Sequence, residues 1–256
     1  MNPFGRYAQY YDLFYADKDY IGEAQYILSL LRRYRSAARS VLDLGCGTGK
    51  HAEALVSGGY TVHGVDYSAD MIAEADEHLQ ALPPHQAERL RFTHADIREF
   101  RIKRSFDAVI SLFHVISYLC SNDDVLKAFA TARRHLHDDG LFIFDCWYGP
   151  AVLADRPVAR TKYFQDRKYR IKRDANPTLY PNENLVGIDY TFSVTNGSGQ
   201  NLEQFSETHR MRYFFKPEME ILLSAAGLQM LDCYKWLTTK EPGFDSWYVV
   251  FAAKAK

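Results

Sequence analysis

The sequence predicts an α/β fold, a doubly wound parallel sheet with a small antiparallel sheet inserted late in the chain. Three observations lead there. From about residue 19 to residue 150, short and almost wholly apolar segments alternate with segments of helical period. Strands covered on both faces by crossover helices read in this way. The rhythm then breaks, and residues 161–215 carry period-two, aromatic-rich runs such as "YTFSVT" and "ETHRMRYFF", with "NGSG" at 196–199 as a hairpin signal between them. Finally, the first apolar segment runs directly into "GCGTG". A glycine-rich first turn suits a sheet that binds its ligand beyond the carboxyl ends of the strands.

The elements follow in order. Tyr7, Tyr11 and Tyr15 recur every fourth residue and share one face if that segment is helical. Residues 19–35 place Ile21, Ala24, Ile27, Leu28 and Leu31 on one helical stripe. "SVLDLG" is a first buried strand, a helix runs from Gly49 to about Val56, and "YTVHGVD" is a second strand. Ser68 caps the next helix, whose apolar face is Met71, Ile72, Ala75 and Leu79. "LRFTHAD" and "FDAVISLF" are the third and fourth strands. Ser121 or Asn122 begins a helix in which Val125, Leu126, Phe129 and Leu136 face inward, and "LFIFDCW" is the fifth strand. Pro217 opens a helix that ends near Gly227. "LQMLDCYKW" and "SWYVVFAA" then complete a Rossmann-like sheet of seven strands.

The bulk properties narrow the function. A chain of 256 residues suffices for one large domain, or one domain with an insertion, and a real core. A formal net charge of -1 argues against broad electrostatic binding to nucleic acid or acidic membranes. Cys46, Cys120, Cys146 and Cys233 are scattered without a CxxC pair, which suits reduced thiols rather than a disulfide or zinc framework. The N-terminal segment has no apolar core of signal-peptide type, and no run approaches a membrane span. The expectation is a cytoplasmic protein without a metal site. Its oligomeric state stays open, a homodimer included.

The chemistry gathers at one edge. Gly45, Gly47 and Gly49 follow the first strand, Asp66 ends the second, and Asp96 ends the third. Phe113 and His114 end the fourth, and Asp145 to Trp147 end the fifth. A dinucleotide site uses GxGxxG so that a helix N-terminus meets a pyrophosphate. Here the spacing is GxGxG, with Asp43 two residues before the first glycine. A carboxylate there repels a pyrophosphate but can engage an ammonium or sulfonium group. Asp66 is placed to accept both hydroxyls of a ribose. The ligand implied is an unphosphorylated nucleoside with a cationic amino-acid tail, S-adenosylmethionine.

At these residues the sequence resembles a known family. "VLDLGCGTG", "VDYSADM" and "HADIREF" look like the first three motifs of the class I S-adenosylmethionine-dependent methyltransferases, over about residues 37–147. The resemblance implies that Asp43 and the loop around Gly45 and Cys46 hold the methionine portion. Asp66 would hold the ribose, Tyr67 and Met71 would flank the adenine, and Asp96 with Ile97 would read its amino edge. Leu112 and Phe113 would line the methionine side. "YAQYYDLFYADKDY", "FHVISYL" and the inserted sheet are similar to the nucleotide-sugar N-methyltransferases of amino-sugar biosynthesis. By that likeness Tyr15 lies near the sulfonium and the acceptor amine. "FDCWYGPAVL" and "ETHRMRYFF" are more similar to broadly distributed small-molecule methyltransferases of unknown acceptor.

The expected division is residues 1–150 as the cofactor-binding core with an N-terminal lid helix, 151–215 as the inserted sheet over the acceptor site, and 216–256 as the completion of the core. Tyr11 and Tyr15 belong to the lid, as an aromatic cover for the cofactor or simply as helix docking. His114, beside the expected methyl group, is the candidate proton acceptor, or else a hydrogen-bonded structural histidine. Tyr118, Trp147 and His209 are the candidate acceptor contacts, while Arg210, on the opposite side of its strand, suits a solvated face. "DRKYRIKRD" at 166–174 holds an acceptor phosphate or, more simply, is a charged edge strand that discourages aggregation. The function expected is methyl transfer to an amine or hydroxyl of a small molecule, a nucleotide-linked amino sugar among the candidates. The rivals are a non-catalytic S-adenosylmethionine-binding partner protein and a dinucleotide-dependent oxidoreductase.

Overall fold

In the computed structural model, which describes residues 5–256, the apolar segments become strands and the periodic ones become helices. Met1 to Phe4, the start of the expected 1–150 core, lie outside the described residues. Helices α1 (Gly5–Phe14) and α2 (Tyr20–Tyr34) precede the sheet. Asp19 caps α2 by accepting the Gly22 N–H at 2.8 Å. Then come β1 (Ser40–Leu44), α3 (Lys50–Ser57), β2 (Thr61–Asp66), α4 (Ala69–Ala81), α5 (Pro84–Ala87), β3 (Leu90–His94) and β4 (Phe106–Ser111). The Ser68 hydroxyl caps α4 through the Met71 N–H at 3.3 Å. Helix α6 (Asn122–Arg134) starts at Ser121, whose hydroxyl accepts the Asp124 N–H at 3.1 Å. It is followed by β5 (Leu136–Tyr148) and α7 (Gly149–Ala154).

Strands β1 to β5 pair in parallel in the order β3-β2-β1-β4-β5. Four antiparallel strands come next, β6 (Arg160–Gln165), β7 (Tyr169–Tyr180), β8 (Leu185–Asn196) and β9 (Asn201–Phe214). The β8–β9 turn is the expected NGSG. Asn196 Oδ1 accepts the N–H groups of Ser198 and Gln200 at 3.1 and 2.9 Å, and Gly199 takes φ +85°. Helix α8 (Lys216–Ala225), β10 (Leu228–Lys235) and β11 (Tyr248–Ala255) end the chain. Strand β11 lies antiparallel to β5, and β10 lies antiparallel to β11, so the Rossmann-like sheet reads β3-β2-β1-β4-β5-β11-β10. The end of β9 also touches β5 in parallel, Trp147 opposite Tyr213 and Tyr148 opposite Phe214. The antiparallel strands thus extend the core sheet at the carboxyl end of β5.

The two faces bury separate cores. Ile27 and Leu31 of α2 and Leu55 of α3 pack on Val41, Ile110 and Ile143. Phe129 of α6 and Leu223 of α8 pack on Phe142, Phe144 and Phe251. A third cluster joins Tyr7, Tyr10 and Phe14 of α1 to Ile171, Phe192 and Val194 of the antiparallel strands, with Met71 of α4 beneath. Helix α1 is therefore clamped between the two sheets, above the carboxyl ends of the parallel strands.

Three local expectations change. Ile21 is exposed (66%), because it sits in the first turn of α2, before the stretch that packs on the sheet. Leu136 is buried, but as the first residue of β5 opposite Phe106, since α6 has already ended at Arg134. The 166–174 segment is not an edge. Its residues from Tyr169 onward begin β7, which pairs with β6 on one side and β8 on the other, and the outer strand is β6. Among the described residues, no helix is long and apolar enough to cross a membrane. They also hold no cluster of three or more His, Cys, Asp or Glu side chains that could bind a metal.

Candidate functional site

The loop after β1 turns on three left-handed glycines, Gly45 (φ +86°), Gly47 (φ +55°) and Gly49 (φ +83°). The N–H groups of Gly45 and Cys46 both donate to the Val65 carbonyl, at 2.7 and 3.0 Å, and tie the loop to β2. The three glycines differ in purpose. A Cβ on Gly45 would stand 2.5 Å from the Val115 methyls, and one on Gly49 would stand 2.5 Å from Phe92 Cζ. Those two serve close packing. A Cβ on Gly47 would meet nothing within 4 Å, because this glycine faces an open cavity.

That cavity holds about 500 Å³. Gly45, Cys46 and Gly47 floor it, and Asp66, Tyr67 and Met71 flank one end. Asp66 is fixed there by two backbone donors, with Gly47 N–H on Oδ2 and Ser68 N–H on Oδ1, each at 2.9 Å. Burial pushes the Asp66 carboxyl up, and these N–H groups pull against that rise. A carboxylate oxygen has a second lone pair, so both remain able to accept a hydroxyl. Met71 is buried and Tyr67 is exposed. Burial holds the Cys46 thiol protonated, so it lines the floor as a small apolar group.

Asp96, Ile97 and Leu112 also line the cavity. Asp96 is not free, since Arg98 Nε lies 3.0 Å from each of its oxygens and Arg98 Nη2 reaches Oδ2 at 2.5 Å. That pairing holds the Asp96 carboxyl below its ordinary range. Arg98 Nη1 continues to Asp124 Oδ1 at 2.6 Å. Asp43 and Gly49 do not line the cavity, and here the expected direct contacts are corrected. Asp43 lies behind the loop at 2% exposure, where burial and then the charge of Asp66 push its carboxyl up to about 7.

Tyr11 and Tyr15 hang from α1 and the turn after it into the cavity. The Tyr15 N–H donates to the Tyr11 carbonyl at 3.2 Å, which keeps the four-residue spacing helical beyond the last residue of α1. Tyr15 stacks edge-on against Phe113, centroids 4.8 Å apart, and its hydroxyl lies 2.9 Å from that of Tyr7. Tyr7 therefore joins the wall as well as docking the helix. Burial holds the Tyr7 and Tyr11 hydroxyls protonated.

Phe113 and His114 follow β4 in the left-handed region, at φ +68° and +65°. Two such non-glycine residues in succession store backbone strain. The His114 N–H donates to both oxygens of Asp145, at 3.1 and 3.2 Å, which compensates that strain. His114 Nδ1 stands 2.5 Å from Asp145 Oδ2, at ion-pair distance but outside hydrogen-bond geometry, and the Tyr248 ring stacks on the imidazole at 4.3 Å. His114 is thus positioned by a wholly buried carboxylate and faces the cavity.

The expected acceptor contacts Tyr118, Trp147 and His209 line the same cavity. The Tyr118 hydroxyl lies 2.8 Å from His209 Nδ1, and His209 Nε2 lies 3.2 Å from Glu207 Oε2. Among the described residues, Trp147 Nε1 is buried without a hydrogen-bond partner, and so is the hydroxyl of Tyr20 elsewhere in the wall. Buried donors left unpaired in a cavity wall mark places for ligand acceptors. Arg210 is exposed, beside Glu183 at 3.3 Å.

Several lining residues escaped the sequence. Arg98 could have been found, two positions beyond Asp96 in the same motif. Tyr20 and Lys50 lie next to elements already singled out. Arg173 belongs to the charged run 166–174 already singled out for an acceptor phosphate, whereas Lys162, Tyr190 and Tyr248 come from strands far along the chain and were not singled out one by one. The residues present suit S-adenosylmethionine: a floor where Gly47 leaves room for a ligand, a carboxylate with lone pairs to spare at Asp66, and an unpaired donor at Tyr20.

Comparison with known proteins identifies the family. Residues 41–140 match a methyltransferase-domain family. The chain is 30% identical, over 88% of its length and 90% of the relative's, to a dTDP-3-amino-3,4,6-trideoxy-alpha-D-glucopyranose N,N-dimethyltransferase of Streptomyces venezuelae. It superposes with TM-score 0.79 and 25% identity on an S-adenosylmethionine-dependent methyltransferase of Clostridium acetobutylicum, covering 99% of each chain. A sugar N-methyltransferase of a Streptoalloteichus species superposes with TM-score 0.78 and 25% identity, over 96% of this chain and 92% of that one.

Proposed function

We propose, since the chain belongs to the class I S-adenosylmethionine-dependent methyltransferases, that its acceptor is a small-molecule amine, an amino sugar carried on a nucleotide. The methyl donor is S-adenosylmethionine. The observation that carries the proposal is one cavity walled on one side by the glycine loop and on the other by the aromatic face of the antiparallel strands. Gly47 and Asp66 stand at one end, and Ile188, Tyr190, His209 and Met211 stand at the other. An apolar wall with a few convergent polar groups suits a compact ring-bearing acceptor. The S. venezuelae relative acts, by its name, on such a dTDP-linked amino sugar.

When bound, S-adenosylmethionine supplies an electrophilic methyl carbon that needs no metal. The chain's own residues hold, align and dry the site. Gly47 leaves the floor open to the amino-acid portion, and Asp66 accepts the ribose hydroxyls. Arg98 anchors Asp96 at the adenine end. Tyr15, braced on Phe113 and on the Tyr7 hydroxyl, covers the reacting end and excludes water. Alignment of this kind contributes several of the roughly 7–11 kcal/mol available from proximity. The acceptor nitrogen must present a lone pair, so an incoming ammonium must lose its proton. Burial keeps Tyr7, Tyr11 and Tyr118 protonated, which makes them poor bases. His114, backed by Asp145, is the group placed to take that proton. One chain supplies the described residues of this site, so the mechanism does not require the homodimer.

The test is turnover with purified enzyme, S-adenosylmethionine and a panel of nucleotide-linked amino sugars, their hydroxyl counterparts, RNA, DNA and protein. Methyl incorporation into the amino sugars by mass spectrometry is the expected result. Efficient methylation of a macromolecule, with the amino sugars ignored, would overturn the proposal.

A further inference from the structure

Two cations oppose each other across the outermost strand pair. Lys162 of β6 and Arg173 of β7 are direct partners in the register, so their side chains share a face. Like charges placed directly opposite destabilise a sheet. The other face of the same pair is neutralised, for Asp174 receives Lys172 Nζ at 2.7 Å and the Thr161 hydroxyl at 2.6 Å. The face with Lys162 and Arg173 is the one that lines the cavity. Among the described residues, neither has a carboxylate at ion-pair distance, and the Arg173 guanidinium makes no hydrogen bond. The acids nearby on that face are engaged, Glu207 with the Tyr7 N–H at 3.2 Å and with His209, and Glu203 with the Tyr10 hydroxyl at 2.5 Å.

Arg173 is nevertheless held in place. Its guanidinium lies 5.0 Å from the Phe164 ring, 5.2 Å from Tyr190 and 5.8 Å from Phe14. The rings fix the position of the fork and leave its five N–H donors unused. Its charge is close enough to Tyr7 and Tyr118 to work against the burial that raises their hydroxyls. Arg173 thus sits in the acceptor half, half-buried, with Lys162 more exposed beside it.

We propose that Arg173 and Lys162 form an anion subsite of the acceptor half, built for the phosphate groups of a nucleotide-linked substrate. The proposal rests on the amino-sugar-nucleotide reading above and adds the residues that select it. A doubly charged diphosphate neutralises both cations at once, and the planar guanidinium offers it paired donors. A single carboxylate would leave one charge unmatched.

The test has two arms. In the first, calorimetry measures binding of inorganic pyrophosphate to the protein saturated with S-adenosylhomocysteine, for wild type, Arg173→Gln, Arg173→Lys and Lys162→Gln. Binding by wild type, lost in Arg173→Gln and partly restored in Arg173→Lys, supports the subsite even if no amino-sugar nucleotide is turned over. In that case the acceptor reading fails alone. Absence of pyrophosphate binding in wild type overturns the subsite. In the second arm, Arg173→Gln should raise KM for an amino-sugar nucleotide by about 10- to 100-fold, with kcat nearly unchanged. KM for the same amino sugar without phosphates, and affinity for S-adenosylhomocysteine, should not move. An equal rise for both acceptors overturns the proposal and makes Arg173 a packing residue. A rise confined to amino-acid acceptors overturns the phosphate assignment in favour of a carboxylate.

Discussion

Replacing Gly47 with valine separates the ligand from the fold. Gly47 sits at φ +55°, and an added Cβ would have no neighbour within 4 Å. The cost to the unliganded protein is therefore the strain of a side chain in the left-handed region, about 1–2 kcal/mol. At about 2–4 °C per kcal/mol for a chain of this size, Tm should fall by about 2–8 °C. The ligand loses more. Valine projects three carbons into the floor on which the amino-acid tail rests, and overpacking a filled site costs about 1–3 kcal/mol or more. Affinity for S-adenosylhomocysteine should fall by about 5- to 150-fold or beyond. Calorimetry on the folded variant measures it. Alanine should have a smaller effect in the same direction. Gly45→Ala and Gly49→Ala are the controls, because their Cβ atoms would stand 2.5 Å from Val115 and Phe92, and they should lose the fold first. Normal binding of S-adenosylhomocysteine by Gly47→Val would refute the placement of the ligand against this loop.

Asp66→Ala should weaken S-adenosylmethionine binding by about 1.5–3 kcal/mol for each charge-assisted hydrogen bond lost, read by calorimetry. Unchanged affinity in a folded variant would remove Asp66 from the site. Asp43 should make the unliganded protein sensitive to pH. Its folded carboxyl is raised from an ordinary 3.8 to about 7, so stability is fullest in acid and is lost as pH rises through that window. The loss approaches about 4 kcal/mol as an upper bound, at about 1.4 kcal/mol per pH unit. Melting curves of wild type and Asp43→Asn should diverge with rising pH in favour of the variant, and parallel curves would dismiss the buried charge. His114→Asn should lower kcat for an amine acceptor by about 100-fold near neutral pH. Activity should recover at higher pH, where the acceptor sheds its own proton. A profile shaped like that of wild type would leave His114 a structural role.

What the sequence determined by itself is what neighbours along the chain can encode. Alternation of apolar and periodic segments specifies strands covered by helices, and Ser68, Ser121 and Pro217 mark helix starts through their own short-range chemistry. The spacing of Gly45, Gly47 and Gly49, with Asp66 one strand later, was legible because loop and acid are set side by side by a single β-α-β passage. The tertiary structure decided what depends on pairing between distant segments. It kept Asp43 and Gly49 off the cavity wall, Asp43 buried in β1 and Gly49 packed on Phe92, while Gly45, Cys46 and Gly47 line it. It joined His114 to Asp145 and stacked Tyr248 upon it, residues from three strand ends. It also made β7 an interior strand, because β6 pairs outside it. A charged segment that looks like an edge in one dimension thereby turns Arg173 inward among rings. Burial periodicity is local, but register and strand order are not. Which side chains meet over the carboxyl ends of a sheet is settled only when remote strands choose their neighbours.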